Sequence, residues 1–303
     1  MAEILLSLTI IGVVAAITLP SLTGNINERT WNTQRKALYA RFSQAIALMP
    51  ALNGYGTLDD TTDTAAETFV TAGLSKVLKI NNICDNEHIQ DCGFTSKITT
   101  QNAATISMPT TMAELNYKIN NVSFVNGSLS YSYSQTNTKA AAFETVNGEC
   151  IAAYYNPNCQ ALSTETMGYV ATKLCANFVY DLNCSKGPNT IGKDMGYISV
   201  FYPTDSVVVS PYISMYDAGN ATHQNASKAC TSQNEESRLP TAEEAASMFV
   251  NQYLNGMNEH GWFWTSKISE NNSAYAHIMH LEMGNSHTNP RVNSAVQVRC
   301  VKR

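Results

Sequence analysis

Eight cysteines carry the first chemistry legible in this 303-residue chain: Cys84, Cys92, Cys150, Cys159, Cys175, Cys184, Cys230 and Cys300. Their number is even and no Cys-x-x-Cys pair occurs. Zinc sites usually show that short spacing, so disulfides in an oxidising compartment are expected rather than free or metal-bound thiols. A second set lies between Asp181 and Asp194, where Asp181, Asn183, Asn189 and Asp194 supply oxygen side chains while Gly187, Pro188 and Gly192 shape turns. Hard cations such as calcium are held by oxygens of this kind. The competing reading is an Asx-rich turn that satisfies its own hydrogen bonds. A third string, His277-Ile-Met-His280-Leu-Glu282, suggests a metal. On a strand, however, His277 and His280 point to opposite faces, and they are expected to be exposed polar residues.

Nothing else in the chain looks reactive. No nucleophile–base pair, Gly-rich phosphate loop, internal repeat or basic low-complexity run is present, so no catalytic residue is assigned and an enzyme is not expected. The formal net charge of -5 argues against non-specific nucleic-acid binding, which needs a basic face. Charged residues make up only 14% of the chain, and Asn, Ser and Thr replace them. That composition suits exported β-rich proteins.

Several elements must position these residues. From Ile4 to Asn27 no residue is charged, and Ile4 to Leu22 is almost wholly apolar. Nineteen helical residues span about 29 Å, close to the hydrocarbon thickness of a bilayer. A cleaved signal peptide is the alternative, but the helical pattern continues past the apolar run. Trp31, Arg35, Leu38, Phe42, Ala45 and Met49 recur at spacings of four and three, which predicts one long helix to about Pro50, apolar all round at first and one-sided later. Downstream, 64–80 reads as a short helix. Strands are predicted at 122–125, 129–133, 149–155, 176–180 and 197–202 from alternation and β-branched or aromatic content. A long helix packed on an antiparallel sheet is the α+β arrangement that follows.

Two details set the N-terminal segment apart. Glu3 puts a carboxylate at the edge of the apolar run, where an acid marks function or a partner. No Lys or Arg precedes the run, whereas Arg29, Arg35, Lys36 and Arg41 follow it. Read by charge alone, that would leave the large domain in the cytoplasm, against the cysteines. The opening Met-Ala-Glu-Ile-Leu-Leu-Ser-Leu-Thr-Ile-Ile-Gly-Val-Val-Ala-Ala-Ile-Thr-Leu-Pro-Ser-Leu resembles the start of the type IV pilin and type II secretion pseudopilin family. Processed members begin Phe-Thr-Leu-x-Glu. Glu3 matches their glutamate and Pro20 their helix-kinking proline. Met1 stands where the family has Leu, and the Phe-Thr and basic leader are absent, so translation is expected to begin upstream, with a prepilin peptidase as a partner. The loop from Asp181 to Asp194 likewise resembles the Asp-x-Asn-Gly … Gly-Pro-Asn … Gly-x-Asp loop of bacterial pilin-like proteins, with Cys184 where Gly is common.

Beyond about Ser206 the character changes. Ser237-Arg-Leu-Pro-Thr-Ala-Glu-Glu, Gly261-Trp-Phe-Trp-Thr-Ser and Val298-Arg-Cys-Val appear in order, and Thr241 with Glu244 forms a capping box ahead of a helix. This order resembles the C-type-lectin-like modules of bacterial surface proteins over roughly 217–303. The calcium-dependent sugar-binding motifs Glu-Pro-Asn and Trp-Asn-Asp are absent from it. The resemblance implies a Cys230–Cys300 bridge; Cys84 with Cys92 is the next pairing expected, and Cys150, Cys159, Cys175 and Cys184 are left with three connectivities.

The expected organisation is therefore an N-terminal pilin helix over 1–52, with 1–22 as transmembrane segment and filament core, a pilin-like β domain over 53–205, and a C-type-lectin-like module over 206–303. The expected function is structural: a minor pilin or pseudopilin of a type IV pilus or type II secretion filament. Such a subunit is held in the inner membrane before assembly, packs with other pilin subunits, and displays a binding domain for a surface ligand outside the cell. The rivals are a membrane-tethered monomeric adhesin and, less favoured, a secreted enzyme.

Overall fold

The computed structural model describes residues 2–53, 65–115, 139–159, 173–202, 206–209, 217–233, 236–256, 261–280 and 286–302; within these, the side chains of 2–26, 158, 173, 202, 206–209, 217 and 233 lie outside the description. The expected strands at 122–125 and 129–133 also lie outside the described residues. The chain is α+β, with an N-terminal helix and sheets that are antiparallel apart from one parallel strand pair in the C-terminal sheet.

Helix α1 runs Ala2–Asn53. Its described part turns Leu38, Phe42, Ala45, Ile46 and Met49 into the core, with Trp31 partly buried, as the four-and-three spacing requires. Of the expected 64–80 helix, 66–76 is helical in three different pitches: α2 (Ala66–Thr68), a wide turn over Phe69–Gly73 and a tight turn over Leu74–Lys76, before β1 (Ile80–Cys84). The hairpin β2 (Lys97–Thr99) and β3 (Thr105–Ser107) follows, then the single turn α3 (Met112–Leu115).

The central sheet has six strands in the order β1, β4 (Ala141–Thr145), β5 (Cys150–Tyr155), β6 (Lys173–Asp181), β7 (Met195–Tyr202) and β8 (Ser206–Val209), every neighbour antiparallel. Strands β5, β6 and β7 are buried on both faces at every position whose side chain is described. In β5, Ile151, Ala153 and Tyr155 face α1, while Cys150, Ala152 and Tyr154 face the opposite way. Phe69 stacks on Tyr155 with ring centroids 4.4 Å apart, and Phe42 meets Phe178 edge-on at 5.1 Å.

The second face is covered by C-terminal residues. Here β9 (Asp217–Ala221), α4 (His223–Gln233), β10 (Ser237–Arg238), α5 (Ala242–Val250), α6 (Gln252–Asn255), β11 (Trp262–Ile268), β12 (Tyr275–His280), β13 (Ser286–Pro290), β14 (Val296–Arg299) and β15 (Val301–Lys302) form a five-stranded sheet, ordered β13-β12-β11-β14-β9, with a two-stranded β10–β15 pair. Thr241 caps α5 in the expected box with Glu244, whose carboxylate also holds Arg238 at 2.7 and 2.8 Å. Helix α5 places Ala245, Met248 and Phe249 in one cluster with Phe94, Tyr154, Val179 and Tyr197 of the central sheet side.

A buried polar seam fixes this contact. The amides of Asn177 and Asn251 pair reciprocally at 2.8 and 3.1 Å, Ser199 Oγ donates to Asn177 Oδ1 at 2.7 Å and meets Ser247 Oγ at 2.6 Å, and the Tyr197 hydroxyl pairs with the Asn255 amide. A satisfied buried network specifies one docking geometry, and a half-satisfied one is costly. Replacing Asn177 by Leu should therefore destabilise the folded chain by about 1–3 kcal/mol in chemical denaturation. The double variant Asn177→Leu/Asn251→Leu, which removes both amides, should recover part of that loss.

Candidate functional site

The candidate site is the 181–194 loop, which leaves β6 at Asp181 and enters β7 at Met195. Four anchors hold it. Cys184 is bonded to Cys150, on the neighbouring strand. The Arg35 guanidinium, buried under α1, donates to Lys193 O at 2.6 Å and to the Tyr180 hydroxyl at 3.0 Å. The hairpin strand β2 pairs with the loop through Thr99 N–H to Asn189 O and Ile191 N–H to Thr99 O, 2.9 Å each. Gly93, at φ +86°, passes so close to the Cys150–Cys184 bridge that a Cβ there would stand 2.5 Å from Cys150 Sγ.

Within the loop the predicted oxygens are brought together. Asp181 and Asp194 are both buried. Asp194 accepts the backbone N–H groups of Asn189 and Thr190 at 2.9 Å each, and Asp181 Oδ1 accepts that of Asn183 at 3.1 Å. Asn183 spends its Nδ2 on Gly187 O at 2.8 Å, and its buried Oδ1 has no hydrogen-bond partner. The Asn189 amide sits 3.1 Å from both Asp181 Oδ2 and Cys184 O. With its nitrogen on that side it closes the loop by two hydrogen bonds.

Burial pushes the Asp181 carboxyl up to about 7, and the nearby Asp194 adds to the rise. A folded-state value above the unfolded one means that the folded chain holds the extra proton, so this group's contribution to stability falls as pH rises from about 4 to about 7. A bound cation takes the proton's place and reverses that cost at neutral pH.

The other predicted residues fall elsewhere. Glu3 lies in the helix segment whose side chains are outside the description, and Pro20 is within the same run of α1. All eight cysteines are paired: Cys84–Cys92, Cys150–Cys184, Cys159–Cys175 and Cys230–Cys300, the last being the bridge that the lectin-like resemblance implies. His277 and His280 correct the expectation of exposure, since both are buried. The physical reason is that both faces of β12 are covered. His280 lies edge-on to Trp262 at 5.0 Å, while Met279, one residue back, faces the cluster under α5. Burial lowers the His277 pKa. Among the described residues, no three His, Cys, Asp or Glu side chains converge as a metal site. Among the residues whose side chains are described no helix is long and apolar enough to cross a membrane; the side chains of the apolar run from Ile4 to Leu22 lie outside that set.

The role of Arg35 escaped the sequence reading, which placed it on the buried face of α1 without a partner. Its spacing predicted burial, and only the fold brings Lys193 O to it. Neither protein-family models nor curated proteins match the chain.

If the loop takes calcium, millimolar calcium should raise the melting temperature of the protein at pH 7.5 by mass action, with a smaller gain at pH 5 where Asp181 holds its proton. Melting curves that overlay in calcium and in chelator at both pH values identify the loop as a purely structural turn. Asp181→Asn should flatten the pH dependence of the chelated protein between about pH 4 and 7.

Proposed function

We propose that the chain is a structural subunit, a minor pilin or pseudopilin, of a type IV pilus or type II secretion filament, and that it performs no catalysis. The reading rests above all on helix α1. Fifty-two residues of continuous helix amount to about 78 Å, far more than one face of the sheet needs. A surface helix in water normally carries charge on its outer face. Between Ala37 and Leu52 the exposed positions of α1 are Ala, Gln and Leu, with Leu48 and Leu52 about half exposed. The exposed positions over 37–52 carry no charge, and beyond the exposed Arg29 and Lys36 lies the charge-free stretch from Ile4 to Asn27; a helix with two such stretches suits packing against other copies or other pilin subunits.

In this reading the 1–22 segment rests in the inner membrane before assembly and in the filament core afterwards. The 206–303 region, docked on the central sheet, is carried to the cell surface. Glu3 would stand among apolar neighbours in the core, where an ionised acid needs a cation; the N-terminal amine of an adjacent processed subunit would supply it. Calcium in the 181–194 loop is a second, compatible reading, favoured by the two buried carboxylates of Asp181 and Asp194 and by the buried Asn183 Oδ1 that has no hydrogen-bond partner. It would lock the loop and, through Lys193 O and Arg35, steady α1 on the sheet.

Two variants test the assembly reading against a monomeric tethered adhesin. Glu3→Ala should stay in the membrane fraction and be lost from sheared surface filaments. Leu48→Glu/Leu52→Glu, on an exposed face, should melt like the parent yet incorporate poorly. Normal incorporation of both would remove the filament assignment.

A further inference from the structure

The C-terminal sheet carries a cleft that the filament reading does not use. Its volume is about 440 Å³, within the range of small-molecule sites. The alternation of β11 explains why it is open. Trp262 and Trp264 point to the same face, two residues apart. Trp264 is sealed beneath α4, with its indole N–H donating to Ala221 O at 2.8 Å and His223 edge-on at 5.2 Å. Trp262 lies past the cover of that helix and stays partly exposed. Its indole forms the floor together with Ile278, flanked by His280 at 5.0 Å and by the exposed His287 at 6.3 Å.

The rim consists of side-chain amides. Asn220 on β9 stands opposite Gln297 on β14, and Asn289 on β13 closes the far side. Ser294 Oγ donates to Asn289 Oδ1 at 3.3 Å, which leaves the Asn289 NH2 as the edge offered to a ligand. Gly261, at φ +120°, has no Cβ, and one placed there would meet the Gln297 amide at 3.1 Å. That absence lets the Gln297 amide lie against the strand beside Trp262. Asn220 offers both donors and an acceptor, and Asn289 its two donors. None of the described residues lining the cleft is Asp, Glu, Lys or Arg.

We propose that this cleft binds a neutral saccharide without calcium. A flat indole floor matches the apolar C–H face of a pyranose ring, and amides that donate and accept match its hydroxyl pairs. A charged ligand would meet no counter-charge on the described lining residues, and a purely apolar one would desolvate the Asn220 and Asn289 amides without giving them partners. With no carboxylate among the described lining residues, these residues give a cation no ligand set, so recognition proceeds through direct hydrogen bonds. Binding does not depend on assembly; a monomer carries the same cleft.

The test uses the full chain, purified in detergent, and a panel of free di- and trisaccharides ending in galactose, mannose or N-acetylglucosamine, with sialylated counterparts. Titration is followed by calorimetry and by tryptophan fluorescence, in calcium and in EDTA. At least one neutral saccharide should bind at about 10 mM or below, equally in calcium and EDTA, and more tightly than its sialylated form. Trp262→Ala should weaken that binding roughly tenfold or more, whereas Trp262→Phe should keep it within about threefold and lose the fluorescence response. Asn220→Ala, at an exposed position, and Asn289→Ala should each weaken it several-fold, which keeps the test decisive if Trp262→Ala does not fold. The proposal is overturned by the absence of binding across the neutral panel, by binding that disappears in EDTA, or by unchanged affinity in both amide variants.

Discussion

The structure depends on a sheet that has to be covered twice. Strands β5, β6 and β7 are hydrophobic on both faces, and a sheet with two apolar faces has no stable solvent-exposed state. One face takes α1, through Leu38, Phe42, Ala45, Ile46 and Met49; the other takes α5 and its neighbours, through Ala245, Met248 and Phe249. The C-terminal region therefore completes the core of the central sheet as well as adding a sheet of its own, and β8, from beyond residue 205, supplies the sheet's last strand. The polar seam of Asn177, Ser199, Ser247 and Asn251 crosses this contact, so its orientation is specified by directional bonds as well as by area.

The same double cover organises the 181–194 loop. Because α1 lies on one side and the β2–β3 hairpin on the other, the loop is gripped from both directions, by Arg35 and by Thr99. Cys184 sits at φ +57°, a backbone region that favours glycine and costs a side-chain-bearing residue of order a kcal/mol. Its bond to Cys150 holds it there. A loop so constrained from outside presents its oxygens in fixed places, the preorganisation that a cation site or a rigid turn equally requires.

In the C-terminal region the covering is incomplete, and the gap has a definite origin. Helix α4 spans His223–Gln233 and seals Trp264, but the sheet beneath it continues to Trp262. The end of a helix over a longer strand leaves one aromatic residue at the boundary between core and solvent. Around it the edge strands β9 and β13 contribute amides instead of charges.

Much of this was legible in the residues themselves. The four-and-three spacing from Trp31 to Met49 determined the buried face of α1, Thr241 and Glu244 determined the start of α5, and the even cysteine count without close pairs pointed to bridges. These are local signals, set by the pitch of a helix, the reach of a cap or simple counting. The pairing of Cys150, Cys159, Cys175 and Cys184 was not legible, because it depends on register: Cys150 opposite Asp181 brings Cys184 alongside, and Tyr155 opposite Ala176 brings Cys175 to Cys159. Helix α5 hid its partner for a related reason. Nearly every position in it is buried, so no stripe marks the face that meets the central sheet. The burial of His277 and His280, the reach of Arg35 to Lys193 O and the gathering of Trp262, Asn220, Asn289 and Gln297 into one cleft were likewise decided only by the fold. Each joins residues from separate strands or helices, and sequence periodicity carries no information about which distant element will supply the other side of a contact.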